Sequence, residues 1–456
     1  MANFSIVNLS ALYGAYRWDA ECYQPHILDA AGALGHFRTV RLGDISYITD
    51  GQHGYHEVDA ESSIRHITAR CVEGGIVTDT QADRLSLKTH NANVRSQLKA
   101  GDVLLSTAGT IGEAGIVEND VLPANIDQDV ARIALQNGAG IDPYFLVAFL
   151  RSELGRFQSA RATTGQIQMH ITLNALRDFE IPILSDQSKI TELMQRGVAA
   201  RRSADRLTLD AESLFVNFLG FDRIGLSKKK CYACAFSELQ TEARFDAEYF
   251  SPKYQRIIKR LREEGKTLSD VAQLSERVFT PPMDKDARTF RYIEIGSLTG
   301  DGRAEFEKVE VADAPSRAAW IVKPGDIITS TVRPIRRLSA MISADQDGCV
   351  CSSGFAVLTP KTGDSGIEPE VLLTYLRLPV ICEILNLHTT ASMYPAIPVQ
   401  RLMQIPILVP DKAVRKQIVA KVRASLDACR ESIRLLDQAK QTVEDMITGA
   451  SARKRR

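Results

Sequence analysis

The chain is written twice. Arg17-Trp18-Asp19-Ala20-Glu21-Cys22-Tyr23-Gln24-Pro25 returns as Arg244-Phe245-Asp246-Ala247-Glu248-Tyr249-Phe250-Ser251-Pro252, an offset of 227 residues within a length of 456. Further echoes keep the same order and nearly that offset: residues 39–45 with 267–271, 98–107 with 322–331, 140–143 with 366–369, and 181–184 with 405–408. A sequence repeated in this way must fold as two similar halves, because each copy carries the same turn signals and apolar spacing. The clearest shared signal is Lys99-Ala100-Gly101-Asp102 and its echo Lys323-Pro324-Gly325-Asp326, each running into an apolar stretch. That reads as a tight turn followed by a strand.

Between the shared segments the copies part company. Ala108-Gly109-Thr110-Ile111-Gly112-Glu113 stands where Val332-Arg333-Pro334-Ile335-Arg336-Arg337 stands. Similar frames carrying unlike loops suggest two readers of two targets; the other reading is neutral drift, since loops vary fastest.

Each copy closes on a long helical pattern. Residues 186–218 hold no proline and one glycine, and Ile190, Leu193, Gly197, Ala200, Ala204, Leu207, Ala211, Leu214 and Phe218 step alternately by three and four. After Pro410, the positions Val422, Leu426, Cys429, Ile433, Leu436, Lys440, Val443 and Ile447 do the same. Sustained heptads predict coiled-coil helices, and equivalent places in a duplicated chain suit them to pair with each other. Two separate amphipathic helices, each packed on its own domain, is the alternative. Thirty or so helical residues make a rod of about 45 Å, longer than one turn of B-DNA at about 34–36 Å. A spacer of that length suits two contacts on one duplex.

Composition limits the function classes. The 56 Lys+Arg balance the 56 Asp+Glu, so the chain is not a uniformly basic nucleic-acid binder, although a local basic face remains open. With 44% hydrophobic and 25% charged residues it is an ordinary globular composition. No apolar run approaches the roughly 20 residues that span a bilayer. The start, Met1-Ala2-Asn3-Phe4-Ser5, has neither a basic region nor an apolar stretch. The eight cysteines are scattered rather than patterned as a disulfide framework. No membrane association and a cytoplasmic setting are expected.

Motifs for catalysis are missing from the sequence. It contains no Gly-x-x-x-x-Gly-Lys-Ser/Thr phosphate loop, no Gly-x-Gly-x-x-Gly after a strand and no Gly-x-Ser-x-Gly elbow. Gly109-Thr110-Ile111-Gly112-Glu113-Ala114-Gly115 lacks the lysine of a phosphate loop and reads as a turn between strands. Thr280-Pro281-Pro282-Met283 lacks the amide or acid and the aromatic of an amino-methyltransferase motif, and Pro410-Asp411 lacks the acidic-x-Lys of a nuclease core. Cys231-Tyr232-Ala233-Cys234 with Cys349-Val350-Cys351 has the wrong paired spacing for a zinc ribbon. His53-Gly54-Tyr55-His56 has neither a glutamate nor a helical context for a zinc protease and reads as a loop, open to a contact role. No metal site and no catalytic residue are expected.

These segments resemble a known family. Residues 98–106, Ala108-Gly109-Thr110-Ile111-Gly112, residues 123–133 and Thr164-Gly165-Gln166-Ile167-Gln168-Met169-His170-Ile171 resemble a target-recognition domain of type I restriction-modification specificity subunits. Ser330-Thr331-Val332-Arg333-Pro334, residues 351–358 and Ala391-Ser392-Met393-Tyr394-Pro395-Ala396-Ile397 resemble another variant of that domain. The Arg-apolar-Asp-Ala-Glu-x-x-x-Pro lead-in before each copy looks more like type I-like or type IIB-like systems. The resemblance implies a mixed α/β fold: two pseudo-repeated α/β target-recognition domains separated by two long antiparallel coiled-coil helices. The corresponding domains are a lead-in at 1–38, recognition domain 1 at 39–185, a spacer helix at 186–219 and a linker with the second lead-in at 220–266. Recognition domain 2 follows at 267–410, then a spacer helix at 411–448 and a basic tail at 449–456.

It also implies a non-catalytic subunit that reads a bipartite, asymmetric double-stranded DNA site and docks methyltransferase (modification) and restriction subunits on its helices. S-adenosylmethionine, ATP and Mg²⁺ would belong to those partners, with no cofactor in this chain. Arginine pairs with guanine and Asn or Gln with adenine, so Arg333, Arg336 and Arg337 in one copy, and Gln166, Gln168 and His170 in the other, are expected contacts. Ser392 and Tyr394 are second-copy counterparts of the Gln loop, and His53, Thr110, Thr164 and Ser353 complete the expected DNA-binding set. Lys228-Lys229-Lys230 and Arg453-Lys454-Arg455-Arg456 are candidates for phosphate attraction, or a solvated linker and tail. Two rival functions stay open: a protein–protein adapter of an anti-phage complex that does not read DNA, and a stand-alone DNA-modifying enzyme.

Overall fold

The computed structural model describes residues 6–8, 23–54, 56–79, 82–165, 169–184, 186–221, 231–242, 244–280, 289–363, 366–390 and 393–454. The chain divides into two compact units, Met1–Arg202 with Cys429–Arg456, and Ser203–Ala428. Both are mixed α/β, as the sequence predicts.

Unit 1 is built on a six-stranded sheet in the order Ser46–Asp50, Val130–Leu135, Val103–Ser106, Ala114–Ile116, Gly75–Val77, Val72–Glu73. Val103–Ser106 is buried at every position, as a central strand must be. The turn before it closes where the Asp102 carboxylate accepts the Lys99 amide at 2.7 Å, with Gly101 at φ 88°. That buried acid is neutralised by Arg132, whose Nε and Nη2 reach its two oxygens at 2.6 and 3.3 Å. The helix Pro143–Arg151 packs on this sheet. Asp142 caps it by accepting the Tyr144 and Phe145 amides, and proline sits in its first turn. Phe145 through Leu150 are wholly buried, and full burial of each large side chain contributes about 1.5–3 kcal/mol.

Unit 2 repeats the frame. Val103–Ser106 pairs Val103 with Ile116 and Ser106 with Val130; Ile327–Ser330 pairs Ile327 with Met341 and Ser330 with Phe355. The Lys323 amide donates to Asp326 at 2.8 Å, as Lys99 does to Asp102. Here the acid is satisfied differently, by the Thr359 hydroxyl at 2.7 Å and by the Arg277 guanidinium. Its four-stranded sheet runs Ala272–Leu274, Phe355–Pro360, Ile327–Ser330, Ser339–Met341. A second sheet runs Glu307–Glu310, Thr289–Ile293, Val350–Ser352, Ala318–Ile321. Within the matched segments 39–45 and 267–271, the short helices Leu42–Ile45 and Leu268–Val271 are the equivalents, each followed at once by a strand. The lead-in motif is structural in unit 2: Asp246 accepts the Tyr249 amide at 3.1 Å, Arg244 stacks 4.1 Å from the Tyr249 ring, and Pro252 opens the helix Pro252–Leu261. Pro25 opens its counterpart, Pro25–Leu34.

The two long helices are Ser188–Leu219 and Lys412–Lys454. Within unit 1 the buried Ser432 hydroxyl donates to the Gly197 carbonyl at 2.7 Å. Within unit 2 the Ser425 hydroxyl donates to the Ala204 carbonyl at 2.9 Å, and Lys421 reaches Asp210 at 2.7 Å. Partner numbers rise along one helix as they fall along the other, so the pair is antiparallel. The seam differs from the heptad reading by one residue in places. Ser432 and Ala439 are buried where Ile433 and Lys440 were expected, and Ile433 is 37% exposed. Likewise Phe215 and Leu219 are buried while Leu214 and Phe218 are half-buried, because that end of the helix turns its apolar stripe into the core of unit 2. The second helix continues beyond residue 448, through to Lys454. Among the described residues no helix is long and apolar enough to cross a membrane.

Candidate nucleic-acid interface

In unit 1 the divergent turn joins Val103–Ser106 to Ala114–Ile116, as the glycine pattern predicts. Gly109 and Gly112 hold φ of 71° and 83°, left-handed values that glycine adopts without penalty. The Thr107 amide donates to the Asp129 carbonyl at 2.8 Å, and the Ile171 amide donates to the Thr107 carbonyl at 2.9 Å. That second bond sets the hairpin Thr163–Thr164 with His170–Ile171 beside the turn. The Thr110 hydroxyl reaches the Ala69 carbonyl at 3.4 Å, which adds the turn Ala69–Cys71 and its exposed Arg70. Thr110, Thr164 and His170 are thus exposed on adjoining loops. His53 is exposed too, but its ring pairs with Asp50 at 3.1 Å at the end of a different strand. Gln166 and Gln168 lie outside the described residues.

Behind this surface sit two titratable groups with shifted affinities. Burial, and then the neighbouring Asp129 charge, push the Asp127 carboxyl up to about 6. Burial, and then the neighbouring His56, hold His66 down at about 4; the two rings lie 4.5 Å apart.

In unit 2 the same bonds assemble the corresponding loops. The Thr331 amide and hydroxyl both donate to the Gly354 carbonyl at 2.9 Å, and the Ile397 amide donates to the Thr331 carbonyl at 2.9 Å. The Arg333 amide donates to the Pro395 carbonyl at 2.7 Å, and the Ser353 amide to the Arg317 carbonyl at 2.7 Å. The Arg333 guanidinium lies over the Tyr394 ring, 5.5 Å from its centroid, with its Nη2 at 3.4 Å from the Met393 carbonyl. Tyr394 is 68% and Met393 77% exposed, and Ile335, Arg336, Ser353 and Arg317 are exposed beside them. Arg337 is different. Its Nε donates to the Arg377 carbonyl at 2.7 Å and its Nη2 pairs with Glu212, so its donors face the interior of the unit. Ser392 lies outside the described residues.

Arg70 and Arg317 are two further exposed arginines that the sequence pattern does not single out: Arg70 joins the surface where the Thr110 hydroxyl meets the Ala69 carbonyl, and Arg317 where its own carbonyl accepts the Ser353 amide. Lys228-Lys229-Lys230, Arg455 and Arg456 fall outside the described residues. Cys349 and Cys351 are buried in the core of unit 2 at and beside strand Val350–Ser352, whereas Cys231 is exposed. Among the described residues no group of three or more His, Cys, Asp or Glu is placed to hold a metal ion.

No family profile matches the chain. A curated relative, the type I restriction enzyme HindI specificity subunit of Haemophilus influenzae, is 26% identical over 157 residues, 34% of this chain and 33% of the relative. The chain therefore spans about a third of the length of the curated relative it matches. Among solved structures, a type I restriction-modification S subunit from M. genitalium covers 90% of this chain and 94% of its own at 11% identity, with a TM-score of 0.36. The HsdS subunit from Thermoanaerobacter tengcongensis covers 88% and 96% at 17% identity, with a TM-score of 0.27. The family that this chain resembles, in its repeated motifs and in its matched segment, is that of the type I restriction-modification specificity subunits.

Proposed function

We propose that the chain is the non-catalytic DNA-recognition subunit of a restriction-modification complex, with residues 39–185 and 267–410 as its two target-recognition domains. The observation that carries this reading is the contrast within the duplication. Equivalent strands and equivalent backbone bonds hold two unlike loop surfaces, one rich in Gly, Thr and His, the other in Arg, Tyr and Met. A scaffold serving one partner twice would keep its tips alike; a reader of two different half-sites needs them different. Arginine beside an exposed aromatic suits base edges and phosphates. The paired helices set the gap between half-sites and offer docking faces to methyltransferase subunits, with a restriction subunit completing the assembly. Exposed Leu209 and Ile433 supply apolar contacts on those helices. S-adenosylmethionine, ATP and Mg²⁺ act in the partners, and the complex works in the cytoplasm.

The test is selection of bound duplexes from a randomised library by the full chain, alone and with its methyltransferase. The expected product is a consensus of two unrelated half-sites at fixed separation. Retention without any consensus would favour the adapter reading.

A further inference from the structure

The duplicated turn makes a conformational demand that the two units meet differently. In unit 1 its left-handed positions are Gly109 and Gly112. In unit 2 they are Arg333 at φ 50°, ψ 61° and Arg337 at φ 60°, ψ 29°, on either side of Pro334–Arg336. A side chain other than glycine is strained there, so each arginine needs a reason to be present. Arg337 has one inside the unit, since it ties Glu212 to the end of the helix Pro369–Arg377. Among the described residues Arg333 has none inside: its guanidinium makes one long contact, to the Met393 carbonyl at 3.4 Å, and faces the exposed Tyr394 ring.

We propose that Arg333 is the base-reading residue of unit 2, specific for a guanine in the major groove, and that Tyr394 is its positioning residue. This rests on the proposed DNA-recognition function. A guanidinium presents a planar fork of five N–H donors, which matches the O6 and N7 acceptors of guanine. A cation–π approach to the Tyr394 ring favours one placement of the guanidinium in advance, so less freedom is lost on contact. In unit 1 glycines occupy the same turn, so the guanine contact assigned to Arg333 is expected in the half-site that unit 2 reads.

The experiment compares duplexes selected from a randomised library by wild-type full chain, Arg333→Gly, Arg333→Lys and Tyr394→Leu. Glycine suits the left-handed position, so Arg333→Gly is expected to melt no lower than wild type. It should nevertheless lose, by about ten- to a hundredfold, the preference for one G·C pair in one half-site. Arg333→Lys keeps the charge but not the fork and should lose the same preference. Tyr394→Leu should weaken it in part, with the other half-site unchanged in all three. An unaltered consensus in Arg333→Gly overturns the proposal. So does uniform weakening across all sequences with a shallower salt dependence, the mark of a phosphate contact. If wild type itself selects no consensus, the DNA-recognition function fails instead.

Discussion

Ser432 and Gly197 meet across the two long helices in unit 1: the serine hydroxyl donates to the glycine carbonyl at 2.7 Å. A Cβ added at Gly197 would lie 2.7 Å from Leu436 Cδ2 and Cγ. Gly197→Ala therefore gains helix propensity, about 1 kcal/mol, but overpacks the seam at about 1–3 kcal/mol. The expected outcome is a lower urea midpoint for the transition of unit 1, and Ser432→Ala, which only removes the hydroxyl, should cost about 1 kcal/mol.

Asp102 and Asp326 are equivalent buried acids with unequal partners. Arg132 is nearly as buried as Asp102, with side-chain exposures of 10% and 6%, whereas Arg277 is 30% exposed. Asp102→Asn strands a buried cation and should destabilise by about 3–5 kcal/mol. Asp326→Asn should cost less, because water can solvate Arg277. Denaturant melts of the two variants check the order.

Acid should loosen unit 2. The His388 ring nitrogen Nδ1 lies 3.2 Å from Arg244 Nη1 and accepts from it. Burial, then the Arg244 and Arg401 charges, hold His388 down at about 4 from its ordinary 6.5. A depressed histidine favours the fold above 6.5 and loses that contribution as pH falls from 6.5 towards 4, since the unfolded chain takes up the proton first. Between pH 7 and 5 the loss is about 2 kcal/mol, and His388→Gln should abolish that slope. In unit 1, His66 acts in the same sense, while Asp127, raised to about 6, stabilises as pH falls from about 6 towards 3.8. Unit 1 should therefore soften less, which stability measured at both pH values reports.

If the long helices set the spacing of a bipartite site, matched insertions of one heptad in both should change the number of base pairs between half-sites and leave both half-site sequences alone. An unchanged gap in selected duplexes would remove that role.

Much of this architecture can be read from the residues alone. The Lys-x-Gly-Asp turns, the prolines opening helices at Pro25 and Pro252, and the long helices all follow from local rules, because turn glycines, N-terminal prolines and heptads act over a few residues. Positions set by tertiary contact are not legible in that way. The seam falls on Ser432 rather than Ile433 because a hydroxyl that finds a carbonyl across a close helix pair is as buriable as an apolar side chain. Arg337 looks like part of an arginine cluster, and only the fold brings Glu212, far away in sequence, beside it. Arg70 joins its loop surface through the Thr110 hydroxyl on the Ala69 carbonyl, and Arg317 through a backbone bond to Ser353, contacts between segments distant in sequence.

Residues 429–447 supply Leu435, Leu436, Ala439, Val443 and Ile447 to the same core as Ile190, Leu193, Met194 and Val198. On the ribosome, the first unit to emerge must therefore wait with that greasy stripe uncovered until all of Ser203–Ala428 has been synthesised. The second unit, contiguous in sequence, has no such delay. The later-made half is thus the one equipped to fold first, and a nascent chain halted before residue 429 would be a substrate for chaperones rather than half of a working reader.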